Sequence, residues 1–141
     1  MKLIELDSWN RKKQYLFFKD YDNPFYNICV DVDVTDAYKF SKKNNLAFFR
    51  TYFFLSIKAV NAIKEFRMRT RENGVVQHNI VHAGATVLND DETFSFCYFN
   101  YLQDFTQFYK HTGDVLQRNK EGKIFDPQKN RDDLVYCSVL P

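Results

Sequence analysis

Glycine and proline are scarce, with 4 and 3 in 141 residues. That scarcity excludes a glycine-rich phosphate loop and argues against disorder. Long apolar runs are missing, and the opening MKLIELDSWNRKKQ has no apolar signal core, so no membrane span or secretory leader is expected. A cytoplasmic protein is the expectation. Cysteine is sparse too: Cys29, Cys97 and Cys137 show no CxxC spacing, and an odd count fits reduced thiols. Charge of one sign is also lacking. A formal net charge of +2 is too small to call for nucleic acid. Metal-ligand spacing is absent; His78 and His82 sit in a segment that reads as strand and loop, where an i,i+4 pair does not converge. No metal is expected.

Aromatic residues are abundant, with 15 Phe and 9 Tyr. That exceeds what a small core needs, so some rings are expected to line a pocket or an interface. The stretch from Ala47 to Val76 organises the chain. Phe49, Tyr52, Phe53, Leu55, Ser56, Ile57, Val60, Ile63 and Phe66 recur at helical spacing. The pattern then alternates through Phe66 to Arg71, turns at Asn73-Gly74 and restarts a strand at Val75. Arg67, Arg69 and Arg71 share one side of that hairpin and read as a solvated edge.

Around this centre the spacing predicts a strand at Ile4–Leu6 and a helix from Trp9 to Phe18, capped by Asp7 or Ser8. It also predicts a strand over Tyr26–Val34 with Ile28, Val30, Val32 and Val34 on one side, and a helix from Asp36 to Lys43 behind Thr35. Strands follow at Ala85–Leu88 and Thr93–Phe99, then a helix from Leu102 to Asn119 weakened by Gly113, and a strand over Leu134–Leu140. The elements mix without strict βαβ alternation. The fold class expected is α+β, a mixed, largely antiparallel sheet with helices packed on one face.

Several segments fall in a familiar order. They are Trp9-Asn10-Arg11-Lys12, Val30-Asp31-Val32-Asp33-Val34-Thr35, Val60-Asn61-Ala62, Glu65-Phe66-Arg67-Met68, Asn73-Gly74, Thr86-Val87, Glu92-Thr93-Phe94-Ser95, Asp104-Phe105 and Val135-Tyr136-Cys137-Ser138. Together they resemble the N-terminal and middle part of the chloramphenicol acetyltransferases, over essentially residues 1–141 as one domain. The resemblance implies a CoA-dependent acyltransferase fold, incomplete here. It implies acetyl transfer from acetyl-CoA to a hydroxyl of chloramphenicol or a similar xenobiotic, and a homotrimer. It also implies a role for Ser138 as oxyanion donor and for Arg11 as the structural partner of a motif aspartate. Phe18, Tyr26, Thr86, Phe94, Phe96 and Phe125 match positions that wall the antibiotic pocket. Asp22, Pro24 and Phe96 depart from the commoner residues there, which bears on acceptor preference.

The family's general base lies in a His-His-x-x-x-Asp-Gly motif. His78, His82 and His111 are the only histidines here, and none sits in such a motif. The expectation is therefore a chain truncated at its C-terminus and inactive alone. The alternative is a non-catalytic member serving as a binding module. A nucleic-acid module using the basic hairpin is a more distant reading.

Overall fold

Alternation of apolar residues with period 3.6 in one stretch and 2 in the next decides the architecture. The computed structural model describes residues 1–122, 125–128 and 130–138. In chain order its elements are β1 (Lys2–Leu3), α1 (Lys12–Phe18), α2 (Thr35–Lys43), α3 (Phe48–Ala62), a 3-10 turn (Lys64–Arg67), β2 (Met68–Arg71), β3 (Gly74–Gln77), β4 (His82–Leu88), β5 (Phe94–Phe99), α4 (Phe105–Gly122) and β6 (Leu134–Cys137). The strands form two three-stranded sheets, ordered β1-β3-β2 and β5-β4-β6. Every pairing is antiparallel except β4 with β6. This is the expected α+β class, with the strands divided between two sheets.

Helix α3 buries Thr51, Phe53, Phe54 and Ile57. Phe53 meets Phe99 of β5 edge-on at 5.1 Å and Phe108 of α4 at 6.0 Å. Phe54 meets Phe105 and Phe108 of α4 at 5.3 and 5.4 Å. Ala83, Ala85, Cys97 and Phe99 complete this core from the sheet. Among the described residues, α3 and α4 thus pack on one face of β5-β4-β6. Leu55, Ile63 and Phe66, which belonged to the expected stripe, are exposed. The helix ends at Ala62, and the residues beyond it turn away from its axis.

Other expectations are corrected by local hydrogen bonding. The strand expected over Tyr26–Val34 is not formed. Ile28, Val30 and Val32 are 71, 69 and 70% exposed, because no neighbouring strand among the described residues pairs with this segment. Cys29 is exposed there rather than sheltered in a strand. The N-terminal strand lies at Lys2–Leu3 instead of Ile4–Leu6, with Ile4 N still donating to Val75 O at 2.8 Å. Helix α1 starts at Lys12 instead of Trp9, since Asp7 is engaged by the Lys12 ammonium rather than by the helix amides. Asp33 accepts from the Thr35 amide at 2.9 Å, and α2 begins at Thr35 itself, one residue earlier than expected. His82 opens β4, and α4 runs from Phe105 behind an Asp104 carboxylate that accepts from Gln107 N at 2.8 Å. In the hairpin, Glu72 and Asn73 form the bend, and Gly74 already pairs with Arg71 at φ +122°, a conformation glycine adopts freely.

The arginines of the hairpin are not a solvated edge. Arg69 donates to Leu134 O at 3.0 Å and Arg71 holds Asp132 at 2.6 Å. Arg67 donates to the carbonyls of His78 and Asn79 at 3.1 and 2.8 Å. Arg69 and Arg71 tie β2 to β6 and the segment that leads into it, and so one sheet to the other. Gly113 has a use as well. A Cβ there would stand 2.5 Å from Arg50 Nη1, and Arg50 donates to both the carbonyl and the hydroxyl of Tyr109 at 3.0 and 2.8 Å.

Asn61 performs the work of a short strand. Its amide donates to Val81 O and accepts from Val81 N, both at 2.9 Å, and Val81 is fully buried. Replacing Asn61 with Ala strands a buried N–H and a buried C=O. The expected loss is about 1–3 kcal/mol of stability, read from urea unfolding with an unchanged m-value.

His82 Nδ1 accepts from Tyr101 N, and His111 Nε2 accepts from Asn100 N, each at 3.0 Å. A nitrogen that accepts cannot carry a proton. Burial holds both imidazoles below the usual value of 6.5; Arg118 adds to this at His111, while Asp133 works against it at His82. The unfolded chain therefore binds more protons as pH falls below about 6.5. This contribution is fully present above that value and lost as pH falls through the lower folded values. Melting temperature should drop between pH 7.5 and pH 5, and His111→Gln, whose amide oxygen can still accept, should flatten that slope.

Candidate functional site

The uncovered face of β5-β4-β6 carries the candidate site. Register pairs Leu88 with Phe94, Thr86 with Phe96, and Gly84 with both Tyr98 and Tyr136. The parallel pairing of β4 and β6 ends at Ala85↔Cys137, and Thr86 and Ser138 are the next residues along the chain on each side. Thr86 pairs with Phe96 on the face that points away from α3 and α4, and Ser138 stands one residue past the last β4–β6 pair. Ser138 follows the last residue of β6 and is exposed; the end of the strand expected to Leu140 lies outside the described residues. Thr86 is exposed as well.

Phe94, Phe96 and Phe125 form a three-ring cluster beside that pair. Their centroids lie 5.6, 5.5 and 5.2 Å apart. Alternation along β5 places Phe94 and Phe96 on this face, while Phe125 reaches it from the loop after α4. Tyr98 fastens that loop. Its hydroxyl donates to Asp126 O and accepts from Gln128 N, both at 2.9 Å.

The remaining expected residues stand elsewhere. Phe18 and Tyr26 line a hollow of 480 Å³ with Tyr21, Pro24 and Phe25, and both rings are more than half exposed. Phe18 and Arg11 also border a cavity of 740 Å³ beside β2. Arg11 pairs with Glu65 at 3.3 Å across that cavity. Thus Ser138, Thr86, Phe94, Phe96 and Phe125 gather on one sheet. Phe18, Tyr26 and Arg11 gather beside the other.

All three histidines are engaged. His78 Nε2 is 3.1 Å from Asp132, a carboxylate it shares with Arg71. His82 and His111 each accept a backbone amide. Burial pushes the Cys97 and Cys137 thiols up, which makes them poor nucleophiles. Among the described residues no cluster of three or more His, Cys, Asp or Glu is placed to hold a metal ion, and no helix is long and apolar enough to cross a membrane. What this face offers is an apolar, ring-lined surface with the Thr86 hydroxyl on it and Ser138 just past the end of β6. Such a surface can hold a flat organic molecule and donate a hydrogen bond to an oxygen that gains charge.

Tyr98 and Tyr136 are residues of this face that sequence reasoning did not single out. A signal existed: a glycine within a strand marks a close approach, and both rings lie near where a Cβ on Gly84 would stand.

Comparison with known proteins adds the relatives. The family model described as chloramphenicol acetyltransferase matches residues 1–141. A chloramphenicol acetyltransferase of Klebsiella sp is 32% identical over 139 residues, which cover 98% of this chain and 64% of that protein. One from Proteus mirabilis is 24% identical over 140 residues, covering 99% of this chain and 64% of the relative. A solved chloramphenicol acetyltransferase structure superposes with a TM-score of 0.85 at 26% identity, over 97% of this chain and 68% of that one. The chain spans about 64% of the length of these curated relatives.

Replacing Tyr98 with Phe removes two hydrogen bonds from the loop that presents Phe125. The expected cost is about 1–2 kcal/mol, with faster amide exchange confined to residues 125–128 and an otherwise unchanged exchange pattern.

Proposed function

Because the chain belongs to the chloramphenicol acetyltransferase family, we propose that it carries the acceptor-binding and oxyanion-stabilising part of an acetyl-CoA-dependent O-acetyltransferase. The acceptor is a hydroxyl of chloramphenicol or a similar xenobiotic, and the assembly is a cytoplasmic homotrimer that confers antibiotic resistance. The observation that carries this reading is the Thr86–Phe96 pair on the open sheet face beside the Phe94–Phe96–Phe125 cluster, with Ser138 one residue past the last pair of β6.

In this reaction the acceptor oxygen attacks the thioester carbonyl as a base removes its proton. The carbonyl oxygen becomes an oxyanion, then the C–S bond breaks and coenzyme A leaves as the thiol. The Ser138 hydroxyl would donate to the oxyanion, an interaction that strengthens as charge develops. Phe94, Phe96, Phe125 and Thr86 would hold the acceptor, with Phe18 and Tyr26 closing a wall of the site. Arg11, which pairs with Glu65 here, would exchange that partner for a motif aspartate.

The proton acceptor is the missing piece. A positioned base contributes roughly 10²–10⁴ in rate, and the three histidines of this chain hold backbone amides or Asp132 instead. These 141 residues alone are therefore proposed to bind without turning over.

A second reading, a non-catalytic binding module, is favoured by one feature. Ile28, Val30 and Val32 form an exposed apolar ladder with no strand beside it among the described residues. Concentration-dependent association in analytical ultracentrifugation, abolished by Val30→Lys, is its expected signature.

The test uses thiol release from acetyl-CoA with chloramphenicol. The chain alone should release none above background. Fused to the C-terminal remainder of the Klebsiella relative it should turn over, and Ser138→Ala in that fusion should lower kcat by roughly 10²–10³. Turnover by the unfused chain would overturn the missing-base reading. An unaffected Ser138→Ala fusion would overturn the oxyanion role.

A further inference from the structure

The link that carries the chain from β5 to α4 is held by side chains of two different elements. Strand β5 ends at Phe99 and α4 begins at Phe105, so Asn100 and Tyr101 open the link. The Asn100 amide donates to His111 Nε2 of α4, and the next amide, Tyr101 N, donates to His82 Nδ1 of β4, each at 3.0 Å. A neutral imidazole has one accepting nitrogen and one N–H. The proton of His82 is therefore on Nε2, which lies 3.9 Å from Asp133 Oδ2, and that of His111 is on Nδ1. Asp133 is itself gripped by Arg131 at 2.8 and 3.0 Å. Both imidazoles are half-buried, so protons reach them from water. The groups that face His82 are Asp133 and Arg131 from the segment entering β6, His111 from α4, and His78 from the segment after β3. Those that face His111 are Arg118 and Asp114 of its own helix, with His82 opposite.

We propose that His82 and His111 form a proton-operated clamp on residues 100–104, which fastens the link while both rings are neutral and releases it when both are charged, with the sheet still folded. A proton on an accepting nitrogen sets an N–H against an N–H, so the bond is lost and the amide has no acceptor. The two amides are neighbours in the chain, so a movement that frees one displaces the other, and the pair opens as one unit. His82 has a second partner waiting: once charged, it can swing to Asp133 and compete with Arg131 for that carboxylate. Two imidazolium charges beside Arg131 and Arg118 also repel, while Asp133 and Asp114 oppose the release. The link positions the first turn of α4, where the Asp104 carboxylate accepts from Gln107 N and Phe105 meets Phe54 at 5.3 Å. Release loosens that turn and leaves the pairing of β4 with β5 in place. Acid thus acts through two protons on one segment, and the clamp does not depend on the acetyltransferase reading.

The test is amide hydrogen exchange by NMR on the full 141-residue chain, from about pH 7.5 to about pH 5, with each rate divided by the free-peptide rate at the same pH. Each proton taken up on opening raises the opening equilibrium by up to about tenfold per unit fall in pH. The Asn100 and Tyr101 amides should open together, with a slope approaching about two protons. The amides that pair β4 with β5 should keep their protection. His82→Asn and His111→Gln each keep an accepting oxygen near the replaced nitrogen and take no proton. Either variant should lower the slope to about one, and the double variant to about zero. A wild-type slope of about one or less, loss of β4–β5 protection at the same pH, or an unchanged slope in the double variant would each overturn the clamp. If the variants fold poorly, the imidazole nitrogen shifts of the wild type decide. Neutral rings at about pH 7.5, with the proton on Nε2 of His82 and on Nδ1 of His111, are expected. The opposite tautomer or a charged ring at either position would sink the proposal.

Discussion

Phe53 of α3, set between Phe99 of β5 and Phe108 of α4, fixes which side of the β5-β4-β6 sheet faces inward. Strand side chains alternate, so that single packing decision commits every second residue to the other side. Ser95, Cys97 and Phe99 go to the core. Phe94, Phe96 and Tyr98 go to the open face, together with Thr86, Gly84 and Tyr136 across the register. A slip of one residue would exchange the two sets and bury the candidate site.

The second sheet and its attachments serve that arrangement. Asn61 locks the end of α3 to Val81, just ahead of β4. Arg69 and Arg71 of β2 hold the residues that enter β6. The two histidines that accept the amides of Asn100 and Tyr101 fasten the exit from β5. Polar side chains here replace backbone pairing at the joints between elements. The residues that looked chemically available, three histidines and three arginines, are largely spent on that work.

The site reads as a surface more than as a reaction centre. It gathers rings, two hydroxyls and a glycine that makes space, and its histidines are committed elsewhere. The residues expected to wall the acceptor pocket fall in two groups on different sheets. One group, around Thr86 and Phe96, shares a face by register. The other, around Phe18, Tyr26 and Arg11, borders hollows beside β2.

Much of this was legible in the chain itself. The spacing from Phe49 to Val60 specified α3, Gly74 specified the hairpin, and the alternation Phe94, Phe96, Tyr98 announced one ringed face of a strand. Those signals are local, and local spacing is what a sequence displays. The period-two run from Ile28 to Val34 carried the same signal and gave no strand, because a strand needs a neighbour to accept its hydrogen bonds and no sequence pattern supplies one. Nor could spacing show that Ala85 and Cys137, 52 positions apart, pair across two strands, that His82 and His111 spend their lone pairs on amides, or that the Tyr136 ring fills the room Gly84 leaves. Those facts depend on which strands pair, in what register and direction. Only the packing of α3 and α4 against one side of the sheet decides that.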